Sequence, residues 1–188
     1  MIKIKICGLQ KKEDLEIVNR YDPDYIGFVF AKSKRQITKE EAKYLKQMLN
    51  PQIKVVGVFV DESLAKIGQI AGEEIIDVVQ LHGEEDERYI KELKNLVKLP
   101  IIKAFKIQSE LDIKKANTSK ADKVLLDYKK AGSGKSFDWS LLKGMKRTYF
   151  LAGGIQSNNL NEALKLPKLE AIDLSSGVET KDQKDEKK

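Results

Sequence analysis

Eight short apolar runs, beginning 22 to 29 residues apart with helix-periodic segments between them, predict an α/β chain of eight parallel strands closed into a (β/α)8 barrel. Two further observations agree. Most runs are rich in Val, Ile, Leu or Phe, as strands covered on both faces must be. No Pro-, Gly- or Ser-rich linker breaks the series, so residues 1–188 read as one domain.

The runs are 2–6, 25–30, 54–60, 76–81, 101–105, 123–126, 148–151 and 170–174. A parallel neighbour needs a crossover, and the intervening segments supply it. Thr38-Lys39-Glu40-Glu41 is a capping box ahead of the stripe Ala42, Leu45, Leu49. Ser109 to Asp112 is a weaker start of the same kind. Residues 85–97 and 157–166 also read as helices, and 138–144 as a short one. Eight even units favour the closed barrel over an open doubly wound sheet.

Composition narrows the class. Hydrophobic residues make up 41% of the chain and charged ones 34%, a core with a heavily solvated surface rather than a disordered chain. One cysteine rules out an internal disulfide and a thiol-rich zinc site. The longest apolar runs fall far short of the ~20 residues of a membrane helix. MIKIKICG lacks a signal peptide's apolar region, so a soluble, cytoplasmic protein is expected. The net charge of +6 comes from residues 91–150, with 15 basic and 6 acidic residues. Their composition fits a solvated helix surface. With a single Arg and few aromatics, it argues against a nucleic-acid patch.

In such a barrel the site is built where the strands end. That gives Cys7-Gly8, Lys32 to Arg35, Asp61, His82-Gly83, Lys106, Asp127, Gly153-Gly154 and Ser175-Ser176-Gly177. Gly153-Gly154 precedes a helix expected near Ser157, and Ser175 to Gly177 follow the last strand. Glycines admit backbone N–H groups to an anion, and the loops after strands seven and eight are this fold's habitual phosphate site. Either loop alone could be only a tight turn. Gly134-Lys135-Ser136 is not a P-loop, because position 129 is Lys where that motif needs Gly.

Cys7 is either a buried small hydrophobe or a thiolate at the mouth. Asp127 ends an apolar strand, where a desolvated carboxyl suits a proton donor or a loop cap. Asp173 sits inside the last strand, facing the mouth or satisfied by backbone. Arg35 offers a planar fork for a carboxylate. His82 is the only histidine. Strands one and four lie nearly opposite, so a Cys7–His82 pair is not expected, and neither is a His-based metal site.

Taken in order, Lys5-Ile6-Cys7-Gly8, Gly27 to Phe30 with Ser33-Lys34-Arg35, Val56 to Val60, Gln80 to Gly83, Lys103-Ala104-Phe105, Leu125-Leu126-Asp127 with Gly132 to Trp139, Leu151 to Gly154 and Asp173 to Glu179 resemble the phosphoribosylanthranilate isomerase family of tryptophan biosynthesis. The resemblance implies an Amadori rearrangement of N-(5'-phosphoribosyl)anthranilate to the 1-deoxyribulose 5-phosphate aminoketose, with no cofactor and no metal. It implies Asp127 as acid and Cys7 as base, the thiol being activated or relieved of its proton when substrate binds. Arg35 would hold the anthranilate carboxylate. Gly153, Gly154, Ser175, Ser176 and Gly177 would hold the phosphate, Asp173 would contact the sugar hydroxyls or assist at the ring, and His82 would line the mouth. The expected partner is a small phosphosugar, with no nucleic acid or membrane, and the protein a monomer or homodimer. The histidine-pathway aminoaldose isomerase, which has Asp where this chain has Cys7, and a non-catalytic phosphosugar-binding barrel remain alternatives.

The family pattern fails at the end. Residues 179–188 contain no apolar side chain, so a polar tail is expected in place of a full last helix. Apolar surface between the last and first strands would then lie open, lowering stability or calling for a partner chain. All site residues are expected before position 180.

Overall fold

The computed structural model describes residues 1–128 and 138–188. Gly132, the rejected Gly134-Lys135-Ser136 motif and the rest of the glycine-containing loop after the sixth strand lie outside the described residues.

The strands are β1 (Lys3–Cys7), β2 (Tyr25–Val29), β3 (Lys54–Phe59), β4 (Val78–Leu81), β5 (Ile101–Ile107), β6 (Lys123–Tyr128), β7 (Tyr149–Leu151) and β8 (Leu169–Leu174). They pair in sequence order, all parallel, and β8 returns to β1, so the barrel is closed. At the closure Lys5 stands opposite Tyr25 on one side and Asp173 on the other.

The helices are α1 (Lys12–Tyr21), α2 (Lys39–Lys46), α3 (Leu64–Gly72), α4 (Glu87–Leu96), α5 (Glu110–Thr118) and a single turn, α6 (Leu160–Ala163). The predicted capping box starts α2: Glu41 N–H donates to Thr38 Oγ1 at 3.1 Å, and Thr38 N–H to Glu41 Oε2 at 2.7 Å. Trp139–Gly144 is a 3-10 turn. The helix expected over 157–166 contracts to α6. The flanking turns close by tighter i to i+3 bonds instead, Asn159 N–H to the Gln156 carbonyl before α6 and Lys165 N–H to the Glu162 carbonyl after it, and Pro167 disfavours helical backbone at Leu166.

Strand alternation divides the core. Tyr25, Val56, Val58, Val78, Ile102, Ala104, Leu125, Phe150 and Ala171 form one cluster, with Cys7 and Val29 packed against it. Alternate residues such as Ile26, Phe28, Val55, Phe59 and Val79 pack instead with the helices. The first set fills the barrel, because successive side chains on a strand point to opposite faces.

After β8 come a 3-10 turn (Ser176–Val178) and a hairpin of β9 (Glu179–Thr180) and β10 (Gln183–Lys184). Among the described residues no α-helix follows β8. The tail is not merely solvated. Glu179 is buried, and the Lys184 side chain is only 5% exposed. A cleft of about 480 Å³ nonetheless lies open beside β1 and α1, lined by Ile2, Ile4, Ile6, Ile17, Tyr21 and Val178 among others. No helix among the described residues is long and apolar enough to cross a membrane.

Candidate active site

One cleft of about 330 Å³ opens over the C-terminal ends of the strands. Cys7 from β1, Arg35 after β2, Gln80 and His82 from β4 and its end, Asp127 from β6, Gly153 and Gly154 after β7, Asp173 from β8 and Ser175, Ser176 and Gly177 beyond it all line this cleft. Lys32 and Ser33 line it too, whereas three other strand-end candidates are engaged elsewhere. Lys34 pairs with Asp182, Lys106 with Glu84, and Asp61 accepts from the Glu84 N–H at 2.7 Å.

On one side stands Asp127. His82 Nε2 lies 3.2 Å from its Oδ2, while Gln80 Nε2 lies 2.9 Å from His82 Nδ1. With the Gln80 amide donating to Nδ1, a neutral imidazole carries its proton on Nε2 and donates to Asp127. His82 therefore acts on the Asp127 side of the cleft, on β4 and β6, rather than beside Cys7 on β1.

On the other side stands Cys7. Gly27, on the neighbouring strand, makes room for it: a Cβ there would come within 2.6 Å of the sulfur. Burial pushes the Cys7 thiol up, Lys5 and Lys184 work against that, and Asp173 adds to it. The resting group is therefore a thiol rather than a preformed thiolate. Lys5 is wholly buried and donates to both Asp173 oxygens at 2.9 Å. Asp173 is thus satisfied by a lysine rather than by backbone. Burial pushes its carboxyl up, against the pull of Lys5.

Arg35 is not left waiting for a ligand. Its stem lies over Gly8 and fills the place a side chain would take there, and the Gly8 φ of 84° itself favours glycine. Its Nε and Nη2 donate to Glu179 Oε1 and Oε2 at 2.8 and 2.6 Å. Lys184 Nζ donates to the same carboxylate at 2.8 Å, to the Cys7 carbonyl at 2.7 Å and to the Ser175 carbonyl at 3.2 Å. The chain beyond position 180 thus reaches the site, contrary to the expectation from its polar composition.

The far rim is made of backbone. Gly153 and Gly154 both have left-handed φ, 83° and 69°. A Cβ on Gly177 would collide with the Ile155 carbonyl oxygen, so the loops after β7 and β8 touch. The N–H groups of Gly153, Gly154, Ser176 and Gly177 have no acceptor among the described residues. Consecutive amides in such conformations form an anion-binding concavity. The α-helix that follows the rim, α6, is one turn long.

Lys5 and Lys184 are the residues that sequence reasoning missed. The signal for Lys5 was present: in Lys3-Ile4-Lys5-Ile6-Cys7 the period of two puts Lys5 and Cys7 on one face. For Lys184 the signal is the Lys184-Asp185 pair, which stands where the resemblance implies a Lys-Asp segment, although it gives no role to the lysine.

Fold and site together define a (β/α)8 barrel whose mouth carries a thiol, a carboxyl and a rim of backbone donors. Comparison with known proteins makes the class specific. A sequence model of N-(5'-phosphoribosyl)anthranilate isomerase matches residues 4–188. The N-(5'-phosphoribosyl)anthranilate isomerase of Clostridium kluyveri is 46% identical, with 100% of this chain and 94% of that protein covered. The crystal structure of the enzyme from Thermus thermophilus superposes with a TM-score of 0.90 at 33% identity, covering 100% and 94% of the two chains. A phosphoribosyl anthranilate isomerase in complex with reduced 1-(o-carboxyphenylamino)-1-deoxyribulose 5-phosphate superposes at 0.85 with 34% identity and the same coverage. This chain belongs to the N-(5'-phosphoribosyl)anthranilate isomerase family.

Proposed function

We propose that this chain converts N-(5'-phosphoribosyl)anthranilate to 1-(2-carboxyphenylamino)-1-deoxyribulose 5-phosphate by general acid and base catalysis. The observation that carries the proposal is that Asp127 and Cys7 line one cleft whose rim is built of backbone amides with no acceptor among the described residues.

Asp127 protonates the furanose ring oxygen, and the ring opens to a Schiff base. His82, bonded to its carboxyl, holds the acid in place. Cys7, having released its thiol proton to solvent as substrate binds, then removes the C2' proton as thiolate, giving an enolamine that tautomerises to the ketone. Hydrogen moves within the substrate, so the balance needs no external oxidant. The amides of Gly153, Gly154, Ser176 and Gly177, with Ser175, receive the phosphate. Arg35 faces the anthranilate carboxylate. Glu179 already occupies its Nε and Nη2, which leaves Nη1 for the ligand. Asp173, bound to Lys5, lies beneath the sugar.

The test is turnover of the aminoaldose by purified protein with chelator present. Cys7→Ala and Asp127→Asn should each lower kcat by about 10²–10⁴ with KM largely kept. Near-native turnover in either variant removes that residue from its role. A competition assay with the histidine-pathway aminoaldose tells the two isomerase chemistries apart.

A further inference from the structure

Lys5 is a charge in the interior of a barrel. Its side chain has no exposed surface, and a buried cation without compensation costs several kcal/mol. Asp173, directly across the β1–β8 ladder, compensates it with both oxygens. An ion pair there does little for stability, since apolar residues of similar volume would fill the space as well. What distinguishes the pair is its place. Lys5 and Cys7 are two residues apart on one strand and one face, a rise of about 7 Å. A lysine side chain spans that distance, so the ammonium that Asp173 holds lies on the face of β1 that carries the sulfur and favours its charged form.

We propose that Lys5 is a positioning residue for the reaction: it is the built-in counter-cation of the Cys7 thiolate, held beneath the sulfur by Asp173. This deepens the proposed function and rests on Cys7 as its base. The other charges near the sulfur are committed elsewhere. Lys184, from β10, is held by Glu179 and by the carbonyls of Cys7 and Ser175, and Arg35, from the loop after β2, is held by Glu179. Asp173, from β8, is the anion facing the same sulfur. Lys5 and Asp173 therefore act on Cys7 with opposite sign. The cation favours the thiolate and the carboxylate opposes it. Burial keeps the resting group a thiol, and Lys5 supplies the charge that the thiolate meets when it forms.

Cys7 is the only cysteine, so alkylation reports on it alone. The experiment is the pH profile of iodoacetamide alkylation in the whole protein, in wild type, Lys5→Met and Asp173→Asn. Thermal melts confirm that each variant is folded. In Lys5→Met the midpoint should rise by about one unit or more, a tenfold loss of rate below it. In Asp173→Asn the midpoint should fall. Superposed profiles for Lys5→Met and wild type would overturn the proposal, and so would shifts of the same sign in both variants, the mark of loosened packing. If Lys5→Met does not fold, Asp173→Asn decides alone, and an unchanged or raised midpoint overturns the proposal. In turnover, Lys5→Met should lose kcat at least tenfold near neutral pH, regain part of it in alkali and keep its KM. A wild type without turnover would defeat the isomerase reading but leave the alkylation result standing.

Discussion

Arg35 and Glu179 meet in a two-point ion pair, Nε to Oε1 at 2.8 Å and Nη2 to Oε2 at 2.6 Å, that ties the loop after β2 to the segment beyond β8. Arg35 crosses Gly8 to reach it, and Lys184 closes on the same carboxylate. The guanidinium is thereby fixed in direction before any ligand arrives, which reduces the entropy lost on binding.

Glu179→Gln tests that arrangement through pH. Burial works to raise the Glu179 carboxyl, but Arg35 and Lys184 outweigh it and hold it at about 2. A carboxyl depressed in the folded state adds stability above its ordinary range, and that stability is lost as pH falls toward the folded value. The variant should be less stable near pH 7 by about 1–2 kcal/mol, the loss moderated by solvent screening. The melting-temperature difference should shrink to nothing near pH 2. Its KM for the aminoaldose should rise severalfold as Arg35 loses its fixed direction; an unchanged KM would show that Glu179 only braces the fold.

His82→Ala addresses the acid. It removes the Nε2 contact to Asp127 without removing the carboxyl. The expected outcome is a smaller loss of kcat than in Asp127→Asn, about tenfold. A loss equal to that of Asp127→Asn would make His82 itself the proton donor.

Gly177→Ala addresses the rim. The added methyl meets the Ile155 carbonyl, so the loops after β7 and β8 must part. KM should rise about tenfold or more, and inhibition by inorganic phosphate should weaken by a similar factor. If phosphate inhibition is unchanged, the anion is bound elsewhere.

The open cleft beside β1 and α1 makes a prediction about stability. Ile2, Ile4, Ile6 and Tyr21 line it, and covering one large apolar side chain contributes about 1.5–3 kcal/mol. A version of the chain extended by an amphipathic helix should melt several degrees higher. Equal melting temperatures would mean that the turn and hairpin after β8 already cover the seam well enough.

The barrel was legible because double burial writes nearly continuous apolar runs, such as Val55 to Phe59 and Val124 to Leu126, at even spacing. The strand-end rule then brought Cys7, Asp127 and both glycine loops to one mouth. The sequence pattern marks no start for α1 or α3, and it extends α6 into flanking turns that close by i to i+3 bonds. Lys5 was legible only by alternation, since a lysine in a strand ordinarily faces water. Burial beside Asp173 depends on barrel closure, which joins residues 168 positions apart. Lys184 was legible only as half of the Lys184-Asp185 pair; its burial depends on a hairpin that folds back onto the Cys7 and Ser175 carbonyls.

The central claim is that Cys7 and Asp127 rearrange the phosphoribosyl aminoaldose. The most direct measurement is conversion of N-(5'-phosphoribosyl)anthranilate to the aminoketose by wild type, Cys7→Ala and Asp127→Asn side by side, with chelator present. Wild-type turnover with a loss of about 10²–10⁴ in kcat in each variant is the predicted result. Absence of turnover in wild type, or near-native rates in both variants, would contradict it.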